Sequence, residues 1–483
     1  MMPGASDALV LFGASGDLAR RMLYPALQKM VARSRLDVPV IGVARSGWSD
    51  EQLRAHVRDS LAAHGGIDEA AWRKLAGLLR SVDGDYRDPA TYERLRLALG
   101  SARRPLHYLA IPPGMFPLVI DGLAKTGCAR HARVVAEKPF GRDLASAQAL
   151  NDTLRRVFSE NAIFRIDHYL GKETVLNLAY FRFANSILEP IWNRNYINSV
   201  QITMAEQFGI GSRGKLYEEL GAVRDVVQNH MLQVLGMLAM EPPVGEGSAA
   251  QRDEKAKVFR AIRPLAPGDL VRGQYAGYRE ERDVDPQSRI ETYAALRLHI
   301  DSWRWEGVPF LIRAGKCLAA TATEVLVELR RPPQKVFAEA RPARSNHVRF
   351  RLGPDRIAIG LGVRTKKPGP ALVGEDVELY VCDEKQDGMS AYERLIGEAM
   401  QGDTTQFARS DAVEAAWRIF DPVLREDTPL YEYAPGSWGP AEADAIAAGS
   451  GGWRAPNLDE VCPPPQADQV RTTGSSRAAD RTA

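Results

Sequence analysis

Ala8-Leu9-Val10-Leu11-Phe12-Gly13-Ala14-Ser15-Gly16-Asp17-Leu18-Ala19 decides how the first third of this chain folds. Five apolar residues predict a strand buried on both faces, two glycines three apart predict a tight turn, and the stretch from Leu18 to Arg35 predicts a helix. Glycines in such a turn let backbone N–H groups approach a pyrophosphate, which then lies at the positive end of the helix. A glycine pair also occurs in ordinary strand–helix turns, but its place in the first βαβ unit favours a dinucleotide site.

The pattern repeats outward from that turn. Val38–Ala44 predicts a second strand, followed by a helix opened by Ser49 with Gln52 three residues on; Leu106–Ala110 and Arg133–Glu137 predict later strands, and Asp143 is an N-cap for a helix to about Phe158. Strands alternating with helices predict a parallel sheet. The second strand ends in Gly42-Val43-Ala44 and is followed by Arg45 and Ser46, where an NAD-preferring site usually carries an acid. Arg45 can pair with a 2′-phosphate, which predicts NADP, although a solvated arginine at a strand end is the plainer alternative.

After about Ser199 the texture changes to period-2 alternation: Leu296, Leu298 and Ile300, then Val325, Val327 and Leu329, then Val348, Phe350 and Leu352, then Ile357, Ile359 and Leu361, then Asp376–Val381. That predicts a large, mostly antiparallel sheet with one covered face. Gly221–Met240, which carries His230, predicts a helix within it, and Glu241–Lys255, rich in Pro, Gly and charge, reads as a surface loop. The expected fold class is an α/β N-terminal Rossmann-like dinucleotide-binding domain (residues 1–180) plus an α+β C-terminal domain with the large sheet (181–460). A disordered tail is expected over 461–483.

With 483 residues, 45% of them hydrophobic, the chain can build more than one core. Sixty-three Lys and Arg against sixty-one Asp and Glu leave a net charge of +2, so no general field exists to hold nucleic acid or an anionic membrane. Neither partner is expected. Cys128, Cys317, Cys382 and Cys462 show no metal-ligand or redox spacing; four reduced thiols, a cytoplasmic setting and no metal are the expectation. The start, Met1 to Asp7, reads as neither signal peptide nor membrane span, and no later run approaches the roughly 20 apolar residues of a spanning helix.

Oxidising a sugar hydroxyl requires a base for its proton while hydride leaves carbon, and cations to hold a phosphate handle. Histidine suits the first task, with a carboxylate to fix its tautomer. Two clusters offer these groups: Asp167-His168-Tyr169 with Lys172, and Arg224-Asp225-Val226-Val227-Gln228-Asn229-His230, where Asp225 and His230 are too far apart for an i,i+4 pair. Spacing alone does not decide whether His168 or His230 is catalytic or a satisfied polar residue.

Six motifs together carry a resemblance. Gly13–Ala19, Glu137-Lys138-Pro139-Phe140-Gly141, Arg165–Glu173, Phe183-Ala184-Asn185-Ser186, Arg224–His230 and Tyr431–Pro440 occur in order over about residues 8 to 455, and the chain resembles the glucose-6-phosphate dehydrogenase family. The resemblance implies oxidation of glucose 6-phosphate at C1 to 6-phosphogluconolactone with hydride transfer to NADP, the first step of the oxidative pentose phosphate pathway. It implies His230 as the base and Asp167 as its partner. His168, Tyr169 and Lys172 would hold the phosphate; Glu206, Asp225 and Lys316 would contact the sugar. Lys138, before a cis proline, would stand between sugar and cofactor, and Gly13, Ser15, Gly16, Asp17, Leu18, Arg45, Tyr86 and Tyr108 would contact NADP. A homo-oligomer, dimer or tetramer, formed through the large sheet is also implied.

Two positions depart from the family. Thr321 stands where a second Lys or Arg usually reaches the substrate, and Gly353 where some members have glutamine. Losing a charged hydrogen bond costs about 1.5–3 kcal/mol when nothing replaces it. A dehydrogenase preferring another hexose phosphate, or a weakly active regulatory paralogue, are therefore the alternatives.

Overall fold

The computed structural model describes residues 4–458 apart from 246, 335, 338–344, 355–356, 384–387 and 425–427. The expected tail lies outside the described residues. Six strands build the first sheet: β1 (Ala8–Phe12), β2 (Val40–Ala44), β3 (Leu79–Asp83), β4 (Pro105–Leu109), β5 (Arg133–Glu137) and β6 (Ile163–Ile166). All pair in parallel, in the order β3-β2-β1-β4-β5-β6. The order reverses between β1 and β4, and ligands of such sheets bind in the crevice outside the strand ends at that reversal.

Nine strands build the second sheet: β7 (Ile197–Ala205), β8 (Leu270–Tyr275), β9 (Tyr293–Leu298), β10 (Phe310–Gly315), β11 (Ala322–Leu329), β12 (His347–Gly353), β13 (Ile357–Lys366), β14 (Gly374–Asp383) and β15 (Leu430–Tyr433). Their order is β14-β13-β12-β11-β7-β10-β9-β8-β15, antiparallel except for β7 with β10 and β8 with β15. Helices Glu173–Ala184, Leu232–Ala239, Ser248–Ala261 and Ser410–Leu424 cover one face with a continuous apolar core. On the other face Arg313 lies between the Trp438 and Trp453 rings, so the segment ending the described chain is tied down.

The caps form as expected. Ser49 and Gln52 make a reciprocal capping box, and Asp143 caps Leu144–Arg155 by accepting from the Ser146 N–H at 2.8 Å.

Three expectations need correction. The segment Glu241–Lys255 is not all loop: helix Ser248–Ala261 starts inside it and buries Arg252 and Lys255, whose charges mask the apolar face in the sequence. Gly221 is not helical; at φ 62° it turns the chain, because any Cβ there would stand 2.4 Å from the Glu291 carboxylate. From Val223 to Met231 the helix is of the wider π type, becoming α from Leu232 to Ala239. Cys128 and Cys317 are free thiols, whereas Cys382 is in a disulfide, so the thiols are not all reduced.

The helices Ala391–Gln401 and Ser410–Leu424 come from the second half of the chain but also pack on the first sheet, with Leu395, Ile396, Phe407 and Trp417 in its cores. This return places late residues beside the strand ends of the first sheet.

Candidate functional site

A cleft of about 1720 Å³ runs between the two sheets, lined by Leu18, Lys138, His168, Lys172, Glu206, Asp225, His230 and Lys316 among others. Its floor starts where β6 ends. Asp167 caps the short helix His168–Gly171, its Oδ1 accepting from the Tyr169 N–H at 3.0 Å. The same oxygen lies 2.5 Å from His230 Nδ1, joining residues 63 apart in sequence. A carboxylate only accepts, so Nδ1 carries the proton and Nε2 keeps a free lone pair.

Both groups are buried. Burial holds His230 below its ordinary pKa, with Lys138 adding to the effect and Asp167 opposing it, so the imidazole rests neutral. Burial would raise Asp167, but the hydrogen bond from His230 and the nearby Lys138 charge outweigh it and keep the carboxyl well below the usual range. The result is an ionised acid beside a neutral base. Asp167, His168 and His230 bring ligand-type atoms within 4.8 Å of one another, a set able to approach a metal. The shared proton between His230 and Asp167 instead suits the set to proton transfer.

The remaining predicted residues gather around this pair. The Tyr169 ring stacks on His230 at 4.3 Å and carries Lys172 Nζ 3.8 Å above it; His168 meets His230 edge-on at 4.5 Å. Burial lowers His168 far below its ordinary value, with His230 adding to this, and lowers Lys172 as well. Lys138 Nζ donates to Asp225 O at 2.7 Å and to its Oδ1 at 3.1 Å, and Lys316 Nζ to Glu206 at 2.5 Å. The π-type turn matters here, because it makes residues five apart neighbours; Asp225 and His230 lie close enough that Asp225 favours a proton on the imidazole. The α-helical spacing rule could not reveal that.

At the cofactor end, Gly13 has φ 84°, and a Cβ there would meet Ala110 O at 2.2 Å. The turn is thus built for glycine, at the β1–β4 reversal, and fits a dinucleotide. Ser15 and Asp17 are exposed, with Asp17 paired to Arg21 at 3.0 Å, and Leu18 lines the cleft. Arg45 projects into solvent from the end of β2, 3.2 Å from Asp85.

Two predicted contacts act differently. The Tyr86 hydroxyl accepts from Gly13 N at 2.8 Å and donates to Val43 O at 3.0 Å, bracing the turn. Tyr108 is 0% exposed and donates to Glu137 at 2.5 Å. Tyr108, expected at the cofactor, is thus buried and reaches the cleft through its bond to Glu137.

Sequence reasoning missed Glu137 and Tyr392 as lining residues. Burial raises Glu137 to about 7 against the Tyr108 hydrogen bond and the Lys138 charge. Tyr392 stacks on His168 at 6.2 Å, and it arrives on Ala391–Gln401. Glu137 is legible in its motif beside Lys138; nothing in the spacing signals Tyr392. Thr321 and Gly353 both line the cleft, and Thr321 Oγ1 accepts from Gln207 N at 3.1 Å. The Lys138–Pro139 bond is cis.

Comparison with known proteins agrees across the chain. Residues 10–177 match the family model "Glucose-6-phosphate dehydrogenase, NAD binding domain" and residues 179–454 match "Glucose-6-phosphate dehydrogenase, C-terminal domain". Glucose-6-phosphate 1-dehydrogenase 1 of Mycobacterium tuberculosis is 45% identical over 460 residues, covering 94% of this chain and 97% of its own. The crystal structure of glucose-6-phosphate 1-dehydrogenase from Mycobacterium avium superposes with a TM-score of 0.89 at 44% identity, covering 95% of this chain and all of its own. A glucose-6-phosphate dehydrogenase in complex with glucose 6-phosphate gives 0.86 at 34% identity, with coverage of 95% and 100%.

Proposed function

Because the chain belongs to the glucose-6-phosphate dehydrogenase family, we propose that it oxidises glucose 6-phosphate at C1 to 6-phosphogluconolactone with NADP as hydride acceptor. It is an oxidoreductase of glucose metabolism. The observation that carries the mechanism is the buried Asp167–His230 pair opening on the cleft. His230 Nε2 takes the C1 hydroxyl proton as hydride leaves carbon, and Asp167 compensates the imidazolium that forms. Asp167 keeps its own proton off throughout.

His168, Tyr169 and Lys172 hold the phosphate. Lys138 and Asp225, Lys316 and Glu206 are paired before substrate arrives, so sugar hydroxyls meet preformed donors and acceptors. Bound NADP supplies the hydride acceptor. Gly13, Ser15, Gly16, Asp17 and Leu18 form its turn with Tyr86 as a brace, and Arg45 reaches the 2′-phosphate. We assign residues 1–180 to cofactor and 181–460 to substrate and assembly. The protein works as a homo-oligomer in the cytoplasm; among the described residues no helix is long and apolar enough to cross a membrane.

Thr321 and Gly353 in the cleft keep a different hexose phosphate in play. The test follows NADPH formation with glucose 6-phosphate, galactose 6-phosphate, fructose 6-phosphate and free glucose. Glucose 6-phosphate should give the highest kcat/KM, and silence on all four at about millimolar concentration, a typical upper KM, would overturn the reading. His230→Asn should lower kcat by roughly three decades or more with substrate binding kept. Lys172→Ala should mainly raise KM.

A further inference from the structure

Lys255 sits on helix Ser248–Ala261 and takes no part in the chemistry above, yet it is 3% exposed. An ammonium taken out of water needs acceptors or a counter-charge. Its hydrogen bond runs to Gln233 Oε1 at a long 3.4 Å, and Gln233 lies three residues beyond His230 on the same continuous helical run. Gly236 permits this approach, since a Cβ there would stand 3.1 Å from the Phe259 ring and 3.5 Å from Lys255 Cγ.

Asp167 presents the complementary deficit. Its Oδ1 serves both His230 and the Tyr169 N–H, while its Oδ2 is buried with no hydrogen-bond partner. Among the charges acting on the Lys255 ammonium, Asp167 is the attractive one and Arg252, one turn earlier, the repulsive one. Burial lowers Lys255 to about 8, which leaves it cationic near neutrality. An ammonium with spare donors and a carboxylate oxygen without one therefore share the same interior.

We propose that Lys255 is a positioning residue for the proton transfer: from behind the pair, tethered by Gln233, its fixed positive charge holds Asp167 ionised and aligned on His230 Nδ1 and disfavours premature protonation of the imidazole. The proposal rests on His230 being the base. The other titratable groups around the pair are His168, Lys138, Lys172, Asp225 and Glu137, with the Tyr169 and Tyr392 phenols. Helix Ser410–Leu424, which packs on both the lysine's helix and the Val223–Met231 segment, commits Asp411 to Arg260 and Arg409, and Arg418 to the Arg260 carbonyl.

The test compares Lys255→Met, Lys255→Arg and Gln233→Leu with the parent full-length protein, measuring kcat and KM for glucose 6-phosphate from about pH 5 to about pH 9, the range that brackets a histidine. Losing the charge should move the acid limb of kcat/KM upward by about half a unit to one unit, with KM within about twofold. Lys255→Arg should restore the parent limb, and Gln233→Leu should move it the same way by less. An unmoved limb in Lys255→Met, whatever the loss of rate, reduces the lysine to packing and overturns the proposal. Should that variant fail to fold, an unmoved limb in Gln233→Leu overturns it equally. Near-normal turnover in His230→Asn removes the base itself, an outcome separate from either.

Discussion

For the proposed reaction the neutral imidazole is the useful form of His230, and burial lowers its affinity for a proton. Burial and Lys138 depress its affinity for a proton more than Asp167 and Asp225 restore it. Its pKa in the fold thus lies below the ordinary 6.5, and the base is lost only as pH falls through that lower value. The acid limb of kcat/KM in the unmodified protein should accordingly have its midpoint below about 6.5. A midpoint above 7 in a pH–rate profile would show that Asp167 dominates instead. The histidine and its acid could be named from motifs, but their 2.5 Å contact could not, because 63 residues separate them. Thr321 shows the reverse case. Its departure from the family is plain in the sequence, while its engagement with the Gln207 N–H is a property of the folded cleft.

Helices, strands and turns differ in how openly they announce themselves. The glycine turn is legible because one physical demand, a positive φ against the Ala110 carbonyl, leaves little choice of residue. Gly13→Ala should cost about 1–3 kcal/mol in backbone strain alone, with the 2.2 Å clash adding to it. The expected result is a lower melting temperature and KM for NADP raised at least about tenfold, the equivalent of roughly 1.4 kcal/mol. An unchanged KM would mean the turn does not hold the cofactor. The helix Ser248–Ala261 hid for the opposite reason. Its buried face includes Arg252 and Lys255, so polarity suggested a loop while tertiary contacts imposed a helix. The π-type turn over Val223–Met231 was equally invisible, since its residues are compatible with an ordinary helix and only the packing against neighbours selects the wider form.

At the scale of the whole molecule, β14 ends the large sheet, with no further strand beside it among the described residues. On β14 Leu379 is 56% and Val381 66% exposed, and through the antiparallel register they lie opposite Leu361 and Ile359 of β13. Exposed apolar side chains on an edge strand are an aggregation hazard unless something covers them, even where the strand also carries acids such as Glu375 and Asp376. In the homo-oligomer proposed above, a second copy of the chain would cover it. The double variant Leu379→Lys, Val381→Lys should therefore shift the protein to monomer in analytical ultracentrifugation while keeping the fold by circular dichroism. If its mass stays that of the parent oligomer, the interface lies elsewhere.

Local rules were enough for one layer of this protein. Strand–helix alternation specified a parallel sheet, period-2 alternation a second and larger one, and short polar motifs named most of the chemical groups, because each depends on residues close in sequence. Tertiary structure decided the rest. It brought the helices of residues 391–424 back onto the first sheet, delivered Tyr392 to His168, buried Tyr108 against Glu137, and set Lys255 against Gln233, one turn from His230. Those placements come from burial and charge compensation between segments far apart in the chain. They exist only once the core has closed.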